Sequence, residues 1–163
     1  MIRTYQRGDL DALMQLWLAS TIAAHPFIAE QYWHESAPLV RNTYLPTAHT
    51  WVFLPIEVKP EVPKVKPEAS GGGNPIAGFI SILEEQLVGA LFVAQPFHGH
   101  GIGQALMALA QQHYSALTLE VYQRNQRAYR FYCKQGFILV GKTYNAETKN
   151  TILTLHWQRQ LNE

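Results

Sequence analysis

Between positions 91 and 103 the chain reads Leu-Phe-Val-Ala-Gln-Pro-Phe-His-Gly-His-Gly-Ile-Gly. An apolar run of strand character ends before Pro96, which cannot continue a ladder. Glycines follow at Gly99, Gly101 and Gly103, and Ile102, Ala105, Leu106 and Leu109 recur with helical period. The order is strand, glycine-rich turn, helix. The first amides of a helix have no intrahelical acceptor, the macrodipole adds partial positive charge there, and glycine lets a ligand come close to bare backbone. A diphosphate held by N–H groups is one reading, and a tight turn without a ligand is the other. The dinucleotide fingerprint G-x-G-x-x-G fails because its third glycine position is Gln104, and no Gly-Lys-Ser/Thr follows as in the phosphate loop of nucleoside triphosphatases. What remains is His98-x-x-Gly101-x-Gly103.

Other reactive side chains point to less. The seven histidines show no ligand spacing beyond His98 and His100 at i, i+2, so no metal is expected. Cys133 is the one cysteine, which excludes an intramolecular disulfide, and it has no neighbouring His or Asp in sequence to activate it. Arg127, Arg130 and Lys134 form a basic stripe at helical spacing: a solvated face, or one from which a member reaches nucleotide phosphates.

Downstream lies a second block, Asn125-x-x-Ala128-x-x-Phe131-Tyr132-x-x-x-Gly136-Phe137. Taken with the glycine turn it resembles the GCN5-related N-acetyltransferases, in which Gln/Arg-x-x-Gly-x-Gly/Ala precedes Asn-x-x-Ala-x-x-Phe-Tyr-x-x-x-Gly-Phe at a similar distance. The likeness covers roughly residues 76–142, and His98 departs from it by standing where the family has Gln or Arg. It implies acetyl-coenzyme A as co-substrate. The pyrophosphate would be held along His98, Gly99, His100, Gly101, Ile102, Gly103 and Gln104, and pantetheine would be touched by Asn125, which also caps its helix. A backbone amide at Phe92 or Val93 would stabilise the oxyanion.

The same resemblance implies roles in transfer, which needs a proton for the departing thiolate and a neutral amine. Tyr132, in the family's Tyr position, is the expected proton donor; a core Tyr with a satisfied hydroxyl is the alternative. Glu120 is the leading base, in a Leu119-Glu120-Val121 run like that of some members that acetylate protein N-termini; a solvated strand carboxylate is its alternative. Apart from the resemblance, Glu84 and Glu85 could act through water, although a hairpin tip is more often simply exposed. His25, Phe27, Tyr32, Trp33 and Trp51 concentrate aromatic groups where the family walls its acceptor groove, and ring faces attract ammonium groups. They read equally as core. The function expected is direct transfer of an acetyl group to a primary amine on a protein lysine, an N-terminus or a small molecule. A non-catalytic acyl-coenzyme A sensor, and an interaction protein docking through an insertion, are the alternatives.

These groups need elements to place them. Strands are expected over 2–6, 51–54, 76–83, 87–93, 117–122, 137–144 and 151–157. A helix capped by Asp9, with apolar face Leu10, Leu13, Met14, Leu16, Trp17 and Leu18, should end near Ser20. Pro26 disfavours helix at His25, and a second helix covers 29–44 with a break or bend at Pro38. Further helices run from the glycine turn to about 114 and from Asn125 to Gly136. The fold class is α/β (α+β), one domain over 1–163. The resemblance sharpens it to a mixed, mostly antiparallel sheet of about seven strands flanked by about four helices, the strands carrying Val93 and Glu120 splaying apart to admit pantetheine. Residues 55–75, rich in Pro, Lys, Glu and Gly, read as an exposed insertion.

Composition sets the remaining bounds. With 163 residues, 47% hydrophobic and 15% charged, the chain suits one domain with a substantial core. A net charge of +1 offers no basic field for nucleic acid. Arg3, Arg7 and Asp9 interrupt any leader-like apolar run, and no stretch approaches the roughly 18 apolar residues of a membrane span. A cytoplasmic enzyme, monomeric or homodimeric, is the expectation.

Overall fold

A computed structural model describes residues 1–55 and 75–160. Apart from its end residues, the expected insertion lies outside the described residues. Seven strands, β1 (Ile2–Thr4), β2 (His49–Phe53), β3 (Gly78–Leu83), β4 (Leu87–Val93), β5 (Ala116–Tyr122), β6 (Ile138–Asn145) and β7 (Asn150–Gln158), form one sheet in the order β1-β2-β3-β4-β5-β7-β6. Every pairing is antiparallel except β4 with β5. Helices α1 (Leu10–Ala24), α2 (Glu30–Leu39), α3 (Leu45–Thr47), α4 (Ile102–His113) and α5 (Gln126–Lys134) complete the fold.

Period-two alternation divides the strands between two cores. On β3, Phe79 joins Leu13, Met14 and Trp17 of α1, whereas Ile80 and Ile82 join Leu106 and Met107 of α4. On β5, Leu117, Leu119 and Val121 face the α4 and α5 side. Thr118, Glu120 and Tyr122 therefore face the side of α1 and α2.

Two helix boundaries differ from expectation. Helix α1 runs a turn past Ser20 to Ala24, because Pro26 bars helical geometry only from His25 onward. Pro38 does not end α2; the chain widens at Val40–Tyr44 into a π segment, which accommodates the displaced ladder, and α3 follows directly.

Asp9 is not the side-chain cap of α1. It accepts from the Gln6 amide at 2.8 Å and takes both guanidinium nitrogens of Arg3, at 2.8 and 2.9 Å. Asp9 is buried, and the Arg3 hydrogen bond holds its carboxyl below the usual carboxylate value against the opposing effect of burial. Arg3→Ala should cost about 2–3 kcal/mol, less than the 3–5 typical of a fully buried pair, since Arg3 keeps 21% of its side chain exposed. A carboxylate with a depressed folded pKa contributes stability above its unfolded value, here 3.8, and loses it as pH falls through the folded one. Melts from pH 7 to 3 should therefore show the gap between wild type and Arg3→Ala closing below about pH 4.

Gly136 ends α5 with φ +99°, and a Cβ there would lie 3.0 Å from Trp157 Cδ1. Gly136→Ala should lose about 1–2 kcal/mol from backbone geometry, and more where the indole resists moving; denaturant melts read the loss.

Candidate active site

Only two rungs join β4 to β5, Leu87↔Thr118 and Val88↔Leu119. Beyond them the strands part, so Gly89 to Val93 face Glu120 to Tyr122 across an open gap. Which amides enter it follows from register. Ala94 donates to Ala77 O on the β3 side, so by antiparallel alternation Ala90 and Phe92 also point their amides at β3, while those of Leu91 and Val93 point at the gap. Of the two expected oxyanion donors, only Val93 is turned the right way; Phe92 is spent on the β3 ladder and packs its ring against Phe79, 6.1 Å between centroids.

The gap opens toward the glycine turn. Gly99 and Gly101 have φ of +85° and +78°, the left-handed region that glycine enters without strain, and a Cβ on either would meet nothing within 4 Å. Gly103 sits closer, its Cβ position 3.6 Å from Phe131 Cζ and 3.7 Å from Val93 Cγ2. The amides of Ile102, Gly103 and Gln104 at the start of α4 have no acceptor among the described residues. This backbone suits a diphosphate: free donors, a helix N-terminus and room where side chains would intrude. His98 behaves differently from expectation. Its Nε2 lies 2.8 Å from Val93 O, and as a donor to that carbonyl it closes the end of β4; His100 is exposed beside it.

Asn125 caps α5 as expected, its Oδ1 accepting from the Ala128 amide at 3.3 Å, and its own amide donates to Tyr122 O at 2.9 Å. The cap thus ties the helix that carries Tyr132 to the end of β5. Phe131 reaches α4, and Tyr132 beside it packs its ring on Phe131 and Phe137, with centroids 5.4 and 5.9 Å apart. Tyr132 is half-buried, and the desolvation of its phenol pushes the pKa up to about 12; its hydroxyl has no hydrogen-bond partner among the described residues. At neutral pH it is a protonated donor. Glu120, the first β5 residue past the paired rungs, is exposed on the α1 and α2 side.

Four of the five expected acceptor residues come together. His25 stacks against Trp33 at 5.1 Å and meets Phe27 edge-on at 5.7 Å; Tyr32 is edge-on to Trp33 at 4.8 Å and donates from its hydroxyl to Glu147 at 3.4 Å. Trp51 is not among them. It lies on the α4 side with His49, His113 and Tyr114, because its neighbours in the alternation, Thr50 and Val52, face the other way. Glu84 and Glu85 form the β3–β4 turn with positive φ, at the end of β4 where β5 is still paired and away from the opening. Sequence reasoning passed over Tyr122, which faces both His25 and Phe27 at 5.3 and 5.8 Å, and Arg124, whose guanidinium lies 5.0 Å over the Phe27 ring. Tyr122 was within reach, since it shares the Thr118 and Glu120 face.

No group of three or more His, Cys, Asp or Glu side chains among the described residues is placed to hold a metal, and no helix among them is long and apolar enough to cross a membrane.

A family model described as an acetyltransferase (GNAT) domain matches residues 70–152. The chain is 41% identical over 157 residues to the peptidyl-lysine N-acetyltransferase YiaC of Escherichia coli (strain K12), with 96% of each covered. It is 30% identical over 142 residues to the peptidyl-lysine N-acetyltransferase YjaB of the same strain, covering 87% of this chain and 84% of the relative. The solution structure of apo-form YjaB from Escherichia coli superposes with a TM-score of 0.74 at 26% identity over 98% of both chains. A GCN5-related N-acetyltransferase structure from Rhodopseudomonas palustris shares the fold, with a TM-score of 0.69 at 16% identity over 97% and 94%.

Proposed function

Because the chain belongs to the GNAT acetyltransferase family and is an N-acetyltransferase, we propose that it moves an acetyl group from acetyl-coenzyme A directly to a primary amine, within a ternary complex. The acceptor class favoured is a lysine side chain of a protein, the class named for YiaC and YjaB. The observation that carries the reading is the parted β4–β5 pair, with the Val93 amide turned into the gap and three unpartnered amides of α4 beyond its end.

Acetyl-coenzyme A supplies a thioester, an electrophilic carbonyl carbon joined to a thiolate leaving group. Amides at the α4 N-terminus would hold its diphosphate, so that binding energy far from the reacting atoms positions them. The Val93 amide would accept the charge that develops on the carbonyl oxygen. Tyr132 would give its phenolic proton to the leaving sulfur. A thiol ordinarily titrates near 8.5, well below the phenol, but the burial that raises Tyr132 also raises a thiolate formed beside it and narrows the difference. Phe27, Trp33 and Tyr122 would receive the acceptor's alkyl stem and ammonium.

Thiol release from acetyl-coenzyme A tests this, with a lysine peptide, a peptide bearing only a free N-terminus and a polyamine as acceptors. Release with the lysine peptide, and a product heavier by one acetyl group at the lysine nitrogen, is expected. Coenzyme A binding without release on any amine would overturn the reading in favour of an acyl-coenzyme A sensor.

A further inference from the structure

We propose that His25 is the general base of the transfer: its Nε2, with Nδ1 tied to the Thr21 carbonyl, takes the proton of the acceptor nitrogen beside the aromatic cluster of Phe27, Trp33 and Tyr122. The proposal rests on the amine acetyltransferase reading and assigns within it the step that Glu120 was expected to perform.

Helix α1 ends at His25 because Pro26 follows, and the imidazole folds back to place Nδ1 2.8 Å from Thr21 O, four residues earlier. A carbonyl only accepts, so Nδ1 carries the proton and Nε2 is left with its lone pair. His25 is 9% exposed, yet Nε2 is not sealed: Trp33 Nε1 is the one fully buried side-chain polar atom without a partner among the described residues. His25 Nε2 makes no hydrogen bond among the described residues and is not such a fully buried atom, so it keeps contact with solvent. The Trp33 indole, 5.1 Å from the imidazole between centroids, keeps its N–H fully buried and also without an acceptor, so the two rings do not satisfy one another.

Placement agrees. The imidazole rests edge-on against Tyr122, 5.3 Å between centroids, and Tyr122 belongs to the part of β5 that has left β4 and shares its face with Glu120. The base is thus held at the mouth of the gap on the acceptor side, opposite the face covered by α4 and α5. Among the described residues the titratable group against the ring is Tyr122; one contact further out, Tyr32 with its partner Glu147 meets Trp33, Arg124 lies over Phe27, and Glu120 shares the Tyr122 face of β5. Burial lowers the His25 pKa from 6.5, outweighing the Thr21 contact, so the ring is neutral at pH 7. Glu120, by contrast, is exposed and makes no side-chain hydrogen bond among the described residues, so nothing orients it.

The amine nitrogen bonds to the thioester carbonyl carbon and gives one proton to His25 Nε2; the C–S bond breaks, and its electron pair leaves on sulfur, which takes a proton from the Tyr132 hydroxyl. Amide and free thiol depart, and one proton returning from imidazolium to phenolate through solvent restores both side chains.

His25→Asn provides the test, because its amide N–H can replace Nδ1–H toward Thr21 O while nothing replaces Nε2. With a lysine peptide, kcat should fall by about 10²-fold, and coenzyme A affinity by calorimetry should stay within twofold. The wild-type kcat/KM profile should have an acidic limb whose midpoint lies below 6.5, lost as His25 protonates and absent from the variant. Histidine NMR on the unliganded wild type should give His25 the same midpoint and the Nδ1–H tautomer. A variant kcat within threefold of wild type, a persisting acidic limb, or a proton found on Nε2 would each overturn the proposal. Should His25→Asn melt early, His25→Gln is read by the same measures. Absence of wild-type turnover on every amine would bring down the acetyltransferase reading and the base together, whereas an active His25→Asn removes the base alone.

Discussion

Tyr132→Phe should lower kcat by about 10²- to 10³-fold, equivalent to about 3–4 kcal/mol of lost transition-state stabilisation, while the melting temperature and coenzyme A affinity stay close to wild type. The substitution removes one oxygen and keeps the ring on Phe131 and Phe137. That oxygen has no hydrogen-bond partner among the described residues, so the fold has little to lose with it. A purely structural tyrosine predicts the opposite pattern, unchanged turnover and equal or higher stability. The pH dependence separates the two further. A donor must be protonated, and with its phenol pushed up to about 12, Tyr132 should impose no alkaline loss of activity below about pH 11. Steady-state kinetics with a lysine peptide, alongside melts and calorimetry, decide the matter. Turnover within threefold of wild type would withdraw the role from Tyr132.

The helix that carries Tyr132 and the glycine turn before α4 were legible because each is a local affair. Three glycines before a helical period, an Asn three residues ahead of an Ala, and a Gly after an aromatic pair specify backbone geometry over a few residues, and those stretches fold as the spacing predicts. Strand positions were also legible, from alternation and turn residues. Fold class agrees as well: a mixed sheet with a single parallel pairing, flanked by helices.

What failed to show in the sequence depends on facts that alternation cannot carry. The pattern around Trp51 says that it and Val52 face opposite ways, but not that α4 covers one face and α1 the other; Trp51 consequently joins His113 and Tyr114 and not His25. Phe92 and Val93 are equivalent as apolar strand residues, and only the register with β3, marked by the Ala94 to Ala77 bond, decides which amide is free. Glu84 and Glu85 sit in a turn whose distance from the opening depends on where β5 departs from β4. His98 matches the position of a phosphate donor in the motif, yet a carbonyl 2.8 Å from its ring nitrogen competes for it.

Gly101→Asp should raise the Kd for coenzyme A by about 10²-fold or more, and Gly101→Asn by only a few-fold. The pair isolates charge from shape. Both residues tolerate positive φ better than other L side chains, so the φ of +78° burdens them similarly, and the Asp variant should melt slightly higher, by the roughly 0.3–1 kcal/mol a carboxylate gains at a helix N-terminus. Each places its side chain in the space that is open at Gly101, next to the unpartnered amides of Ile102 and Gly103. There a carboxylate takes the donors that a diphosphate needs and opposes its charge. Unit charges about 4 Å apart interact by about 1 kcal/mol in water and about 4 at an effective dielectric of 20, and the diphosphate carries more than one. The repulsive share should shrink as ionic strength rises, since a surface turn is screened over about 10 Å at 0.1 M salt, so the two variants converge at high salt without meeting. Calorimetric titration with coenzyme A at two salt concentrations reads both effects. Equal affinities for the Asp and Asn variants at low salt would mean that the turn at Gly101 does not carry the diphosphate.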